Sequence, residues 1–227
     1  MDLAGATWQQ VDATARRGLL AVPLGSTEQH GPHLPLDTDT RIADALARGL
    51  AGARSDVVVA PALSYGASGE HAGFPGTLLI GHGVLADVVS EIVRSARIAF
   101  RGVVLVCAHG GNDEALAAVR RRSVEEGDDV LAWTTRTPGG DAHAGRTETS
   151  LMLALDPGAV RLELAEAGCT EPLETLLPRL RMDGVRPVSS NGVLGDPAGA
   201  SAGEGRSILA ALERALAAAV SSRWPPS

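Results

Sequence analysis

Four short apolar runs punctuate the first 135 residues: GLLAVPL at 18–24, DVVVAPAL at 56–63, GVVLVCAH at 102–109 and DVLAWTT at 129–135. Their length and continuous apolar character predict buried strands. Between them the pattern changes to helical periodicity, over 41–53, 84–100 and 113–126. In the second of these, Leu85, Val88, Val89, Ile92 and Val93 fall on one face. Further helices are expected near 147–155, 158–167 and 206–221. Strands alternating with helices predict a mostly parallel sheet flanked by helices, an α/β three-layer sandwich. With no long linker and no internal repeat, residues 1–227 read as a single domain. The Pro- and Gly-rich stretches 64–77, 137–145 and 184–205 read as long loops, a type of segment that often carries function.

Each apolar run is followed by a polar cluster: GSTEQHGPHLPLDTDT, SYGASGEHAGFPGT, HGGND and RTPGGDAHAGRTET in chain order. Parallel sheets bind ligands beyond the carboxyl ends of their strands, where these segments would gather. All six histidines (30, 33, 71, 82, 109 and 143) lie in or near them. Composition narrows the chemistry further. All 20 basic residues are Arg, so Schiff-base chemistry, a lysine base and a Walker-type phosphate loop are excluded. The formal charge of −7 gives no reason to expect nucleic-acid binding, which usually leaves a basic stripe. Two cysteines without framework spacing argue against a disulfide scaffold and for a reducing compartment. No apolar stretch approaches the roughly 20 residues of a membrane-spanning helix. A soluble, cytoplasmic protein is the expectation.

Glu28 and His30 are two residues apart, so in extended chain they project to the same side. Asp39 precedes a helix and His109 ends a strand, where both can close over the same point. Carboxylates and imidazoles without thiolates suit Zn²⁺, Fe²⁺ or Mn²⁺. A site of this kind with an open position suits hydrolysis, because the ion lowers the pKa of water to about 7. Each residue also has a structural reading. Asp39 reads equally as a helix N-cap, and Glu148 as a first-turn carboxylate complementing the helix dipole. His33 and His82 read as loop histidines, Glu70 and His71 as shapers of their loop, and the HGGN glycines as a tight turn.

The stretch GSTEQHGPHLPLDTD, with YGASGEHAGFPGT, AHGGN, HAGRTETS and NGVLGDPAGASAGEG following in order, resembles the creatininase family over nearly the whole chain. The resemblance implies a metal-dependent hydrolase of C–N amide bonds, with Glu28, His30, Asp39 and His109 as ligands and Asp39 bridging two ions. In creatininase itself a Glu stands two residues after the His that matches His109; here that position is Gly111. A second ion therefore needs another carboxylate, and Glu148 is the candidate, so one or two ions per subunit are expected. His143 and Glu148 are the candidates for proton transfer. His33, Ser68, Glu70, His71, Gly110, Gly111 and Asn112 are placed on the substrate side, the HGGN N–H groups as candidates for holding an oxyanion. Within the family, the short length, HAGRTETSLMLALDP and RPVSSNGVLGDP are most like a branch acting in cofactor biosynthesis. That branch trims a C-terminal dipeptide, of Val-Tyr type, from a modified ribosomal precursor peptide. The resemblance also implies a homo-oligomer, commonly a hexamer. The alternatives are a cyclic-amide hydrolase, a formamide deformylase and a non-catalytic scaffold subunit.

Overall fold

A computed structural model describes residues 1–15 and 18–225. The four apolar runs form strands β1 (Leu19–Leu24), β2 (Val57–Val59), β3 (Gly102–Cys107) and β4 (Val130–Thr134). They make one wholly parallel sheet in the order β2-β1-β3-β4. All six residues of β1 and all six of β3 are buried, which explains why neither run alternates.

Successive side chains leave the sheet on opposite faces, and two separate cores result. Leu19, Ala21, Val57, Val59, Val104 and Val106 pack beneath α2 (Thr38–Ala53), α5 (Arg146–Leu155) and α7 (Ala202–Arg223). Leu20, Val22, Leu24, Val103, Leu105 and Cys107 pack beneath α3 (His82–Ala96) and α4 (Asp113–Glu126). This is the expected three-layer arrangement. The sheet grows from β1 to β2 on one side and from β1 to β3 on the other. The direction in which strands are added reverses there, and the crevice beyond β1 and β3 is the usual place for a ligand.

The second run is shorter as a strand than its apolar pattern suggests. Ala21 and Pro23 both turn their carbonyls toward it, accepting from the N–H groups of Ala60 and Leu63. The N–H that Pro23 lacks would point the same way, so the ladder stops and only a single bridge joins Leu24 to Leu63. The helix expected over 84–100 ends at Ala96. The helix expected at 158–167 is absent. Two 3₁₀ turns, Pro157–Ala159 and Leu162–Leu164, stand in its place, and the Arg161 N–H between them donates to the His33 carbonyl. Two helices carry no clear sequence signal: α1 (Trp8–Ala15) and α6 (Leu173–Asp183), the latter with Pro178 in its interior. The loop expected over 184–205 gives its last residues to α7, which begins at Ala202 and is capped by Ser201, whose hydroxyl accepts from the Glu204 N–H. Among the described residues no helix is long and apolar enough to cross a membrane.

Leu105 is fully buried at the centre of β3. Leu105→Ala should lower unfolding free energy by about 2–5 kcal/mol, read as a lower urea midpoint with unchanged slope.

Candidate metal centre

Beyond β1 the chain runs Gly25–Ser26–Thr27 into Glu28, and Gly25 sets how closely α2 can approach. A Cβ there would lie 2.4 Å from the backbone of Thr40. The close approach brings the first turn of α2 under the loop and delivers Asp39 to it. Asp39 does not cap its helix. Oδ2 accepts a 2.8 Å hydrogen bond from Ser26 Oγ and lies 3.1 Å from His109 Nδ1, while Oδ1 lies 3.2 Å from His30 Nε2. One carboxylate thus faces two imidazoles, one oxygen to each.

Glu28 is fully buried, and neither of its carboxylate oxygens has a hydrogen-bond partner. Around Oε1 stand His109 Nδ1 at 3.3 Å, His71 Nε2 at 3.4 Å and His143 Nδ1 at 3.8 Å. Glu148 completes the cluster from the first turn of α5. Its Oε2 accepts from the Ala144 N–H at 2.6 Å and lies 3.9 Å from His30 Nε2. Both sequence readings of Glu148 therefore have a counterpart: it ties down the helix start and faces the cluster with the same oxygen. Ala144 takes a left-handed backbone (φ 52°), which turns the chain between His143 and the helix.

The electrostatics follow from burial and crowding. Burial lifts the Glu28 carboxyl to about 7, against the pull of His109, and lifts Glu148 to about 7 as well. For Asp39 burial works the other way from its neighbours, and His30 and His109 prevail, holding it well below the usual carboxylate range. Burial disfavours charge on His30 and His109, yet the surrounding carboxylates, Asp39 for His30 and Glu28 for His109 foremost, hold each up at about 10. Burial, with the charges of His30 and His109, pushes His71 down to about 3, and burial with His30 and His71 pushes His143 well below its ordinary value.

Three sets of side chains have ligand atoms within 4.8 Å of one another: Glu28–Asp39–His109, His30–His143–Glu148 and Glu28–His71–His143. Partnerless buried carboxylate oxygens at the centre of such sets fit a divalent cation, whose charge would offset the desolvation that raises Glu28.

The other expected residues are placed differently. His71, expected on the substrate side, reaches Glu28 itself. Glu70 stands near the opposite edge of His109, Oε1 to Nε2 3.8 Å. Ser68 Oγ lies 3.4 Å from the same nitrogen. Gly110 is exposed. At Gly111 a Cβ would meet His109 Nε2 at 2.3 Å and Glu70 Oε1 at 2.7 Å, so those groups fill the space a side chain would need. Asn112, expected to touch substrate, is fully buried and spends its amide on the Ala67 N–H and the Gly25 carbonyl, tying together the loops that follow β1, β2 and β3. His33 is buried with Nε2 2.8 Å from Thr149 Oγ1, and His82 is solvent-facing. Gln29, which the sequence reading did not single out, touches both His71 and His143. Its position between two candidate ligands was the available signal.

The family model described as creatininase, creatinine amidohydrolase, matches residues 4–220. A mycofactocin precursor peptide peptidase from Mycobacterium tuberculosis is 47% identical over 234 residues, covering 99% of this chain and 92% of that protein. One of the same description from Mycolicibacterium smegmatis is 48% identical over 213 residues, 92% of this chain and 86% of that one. The creatinine amidohydrolase of Pseudomonas putida is 30% identical over 97% of this chain and 96% of its own. A creatininase crystal structure superposes with a TM-score of 0.81 at 27% identity, over 100% of this chain and 98% of that one. Creatininase structures described as Mn and as Zn-Zn type each give 0.80, both over 99% of this chain and over 99% and 98% of their own. A match of this length in sequence and in fold leaves no second assignment: the chain belongs to the creatininase family, hydrolases that act on amide bonds.

Proposed function

We propose that the chain, acting as one metallohydrolase unit over residues 1–227, is the peptidase that removes a C-terminal dipeptide of Val-Tyr type from the modified mycofactocin precursor peptide. The observation that carries the chemistry is the fully buried, partnerless Glu28 carboxylate among His109, His71 and His143. The substrate rests on the 47–48% identity to mycobacterial proteins of that description, against 30% to a creatinine amidohydrolase. Gly111 favours the same choice, since it departs from the Glu of creatininase and has no room for a side chain.

Glu28, His30, Asp39, His109 and Glu148 would hold one or two divalent ions, Fe²⁺, Zn²⁺ or Mn²⁺, with Asp39 offering one oxygen to each side. The ion supplies Lewis acidity toward the scissile carbonyl and lowers the pKa of water. The chain's own groups do the rest. Asp39, fixed by Ser26, orients His30 and His109. His143, whose Nδ1 faces Glu28, takes a proton from the attacking water and returns it to the leaving amine, with Glu148 as the second candidate for that transfer. Glu70, partly exposed and 3.8 Å from His109, is the candidate for contact with the incoming peptide. Exposed Leu78, Leu79, Val84 and Val88, close in sequence, support a homo-oligomer, which the resemblance puts at six copies. The proposed compartment is the cytoplasm.

Incubation with the modified precursor should release the dipeptide, detected by mass spectrometry, while creatinine and formamides stay intact. Turnover of either small molecule without dipeptide release would move the assignment to another branch. His30→Ala and Asp39→Ala should each lose bound metal and activity together. The loss should exceed the roughly 10–100-fold typical of partners beyond the ligands, and full metal content in both variants would remove the site. Glu148→Gln keeps an acceptor for the Ala144 N–H but loses the charge. Reduced metal content at an unchanged melting temperature is the expected result, and unchanged metal content would leave Glu148 only its role at the helix start.

A further inference from the structure

Gln29 is 6% exposed, and its side-chain amide is oriented from two sides. Oε1 accepts from the Gly31 N–H at 2.9 Å, and Nε2 donates to the Gly192 carbonyl at 3.1 Å. The NH₂ group, a donor only, therefore faces the rings of His71 and His143. His71 Nδ1 lies 2.8 Å from it and must accept. An imidazole that accepts at Nδ1 is neutral and carries its proton on Nε2. That edge of the ring faces Glu28, with Nε2 3.4 Å from Oε1 but not aligned for a hydrogen bond in the absence of an ion.

His143 is held the other way round. Its Nε2 lies 2.8 Å from the backbone carbonyl of Gln29, which can only accept, so Nε2 carries the proton. Nδ1, 3.8 Å from Glu28 Oε1, then presents a lone pair to the centre. Both amide hydrogens of Gln29 are already committed to His71 and Gly192. The 3.0 Å approach of Gln29 Nε2 to His143 Nε2 is thus a contact without a shared proton.

We propose that Gln29 is a positioning residue that sets opposite tautomers on two neighbouring histidines, so that His71 offers an N–H to Glu28 while His143 offers a lone pair. His71 then stands outside the metal-ligand set despite its proximity, and acts by orienting the Glu28 carboxylate. Its catalytic consequence rests on the metallohydrolase reading above; the tautomers themselves do not.

The test is a long-range ¹H–¹⁵N spectrum of the histidine rings in the full chain, recorded without metal and with Zn²⁺. His71 should show an unprotonated Nδ1 and a protonated Nε2 in both states, and His143 the reverse in the metal-free state. A protonated Nδ1 on His71, or a zinc-shifted Nε2 on that ring, would overturn the assignment. Opposite tautomers in a chain that takes up no zinc would keep it and remove the metal reading instead. Gln29→Met should leave zinc stoichiometry intact, abolish the fixed tautomer of His71 and lower kcat by about 10–100-fold with KM little changed. An unaltered His71 tautomer in that variant would also overturn it. His71→Gln retains an N–H near the position of Nε2, and should keep both zinc and most of the kcat that His71→Leu loses. Zinc loss in His71→Gln would make His71 a ligand.

Discussion

The Glu28 carboxylate is removed from water and given no hydrogen-bond donor that meets it squarely. A buried charge in that state is costly unless a cation or a proton offsets it. Much of the surrounding architecture addresses this one cost. Imidazoles from three different loops point at it, and Asp39 holds one of them, His109, in register with a fourth, His30. Without an ion, the cluster keeps protons on Glu28 and Glu148 near neutrality and leaves His30 and His109 charged. Positive charge at its centre is what the geometry requires.

The sheet makes this arrangement possible by separating stability from chemistry. Its two apolar cores, one under α2, α5 and α7 and one under α3 and α4, use up the strands' side chains on both faces. Polar groups are left only at the carboxyl ends, where β1 and β3 diverge into different crossovers. Asn112 shows how the loops are held there. A single buried amide joins Ala67 to Gly25 across segments 45 and 87 residues away in the chain. The loops are therefore braced from below, so that His30 Nε2, His109 Nδ1 and Glu148 can face the cluster.

Much was legible in the sequence because the determining signals are local. Continuous apolar runs specify strands buried on both faces, and each is followed at once by its polar cluster. The positions misread were those where local pattern and tertiary demand disagree. Pro178 obscured α6, and 158–167 looked helical but breaks at Arg161, whose N–H goes to the His33 carbonyl instead. Likewise Pro23 shortened the pairing of β2, an effect visible only once the strands are known to be neighbours.

Fold class, family and the carboxylates and imidazoles that gather at the sheet edge are written in residue type and spacing along the chain. How those groups divide their work is set by their neighbours in the folded chain. Whether Asp39 caps a helix or faces His30 and His109 depends on how closely α2 approaches Gly25. Which nitrogen His71 or His143 presents depends on Gln29, 42 and 114 residues away in the chain. Hydrogen-bond direction and ring orientation are properties of neighbours in space, and no periodicity encodes them.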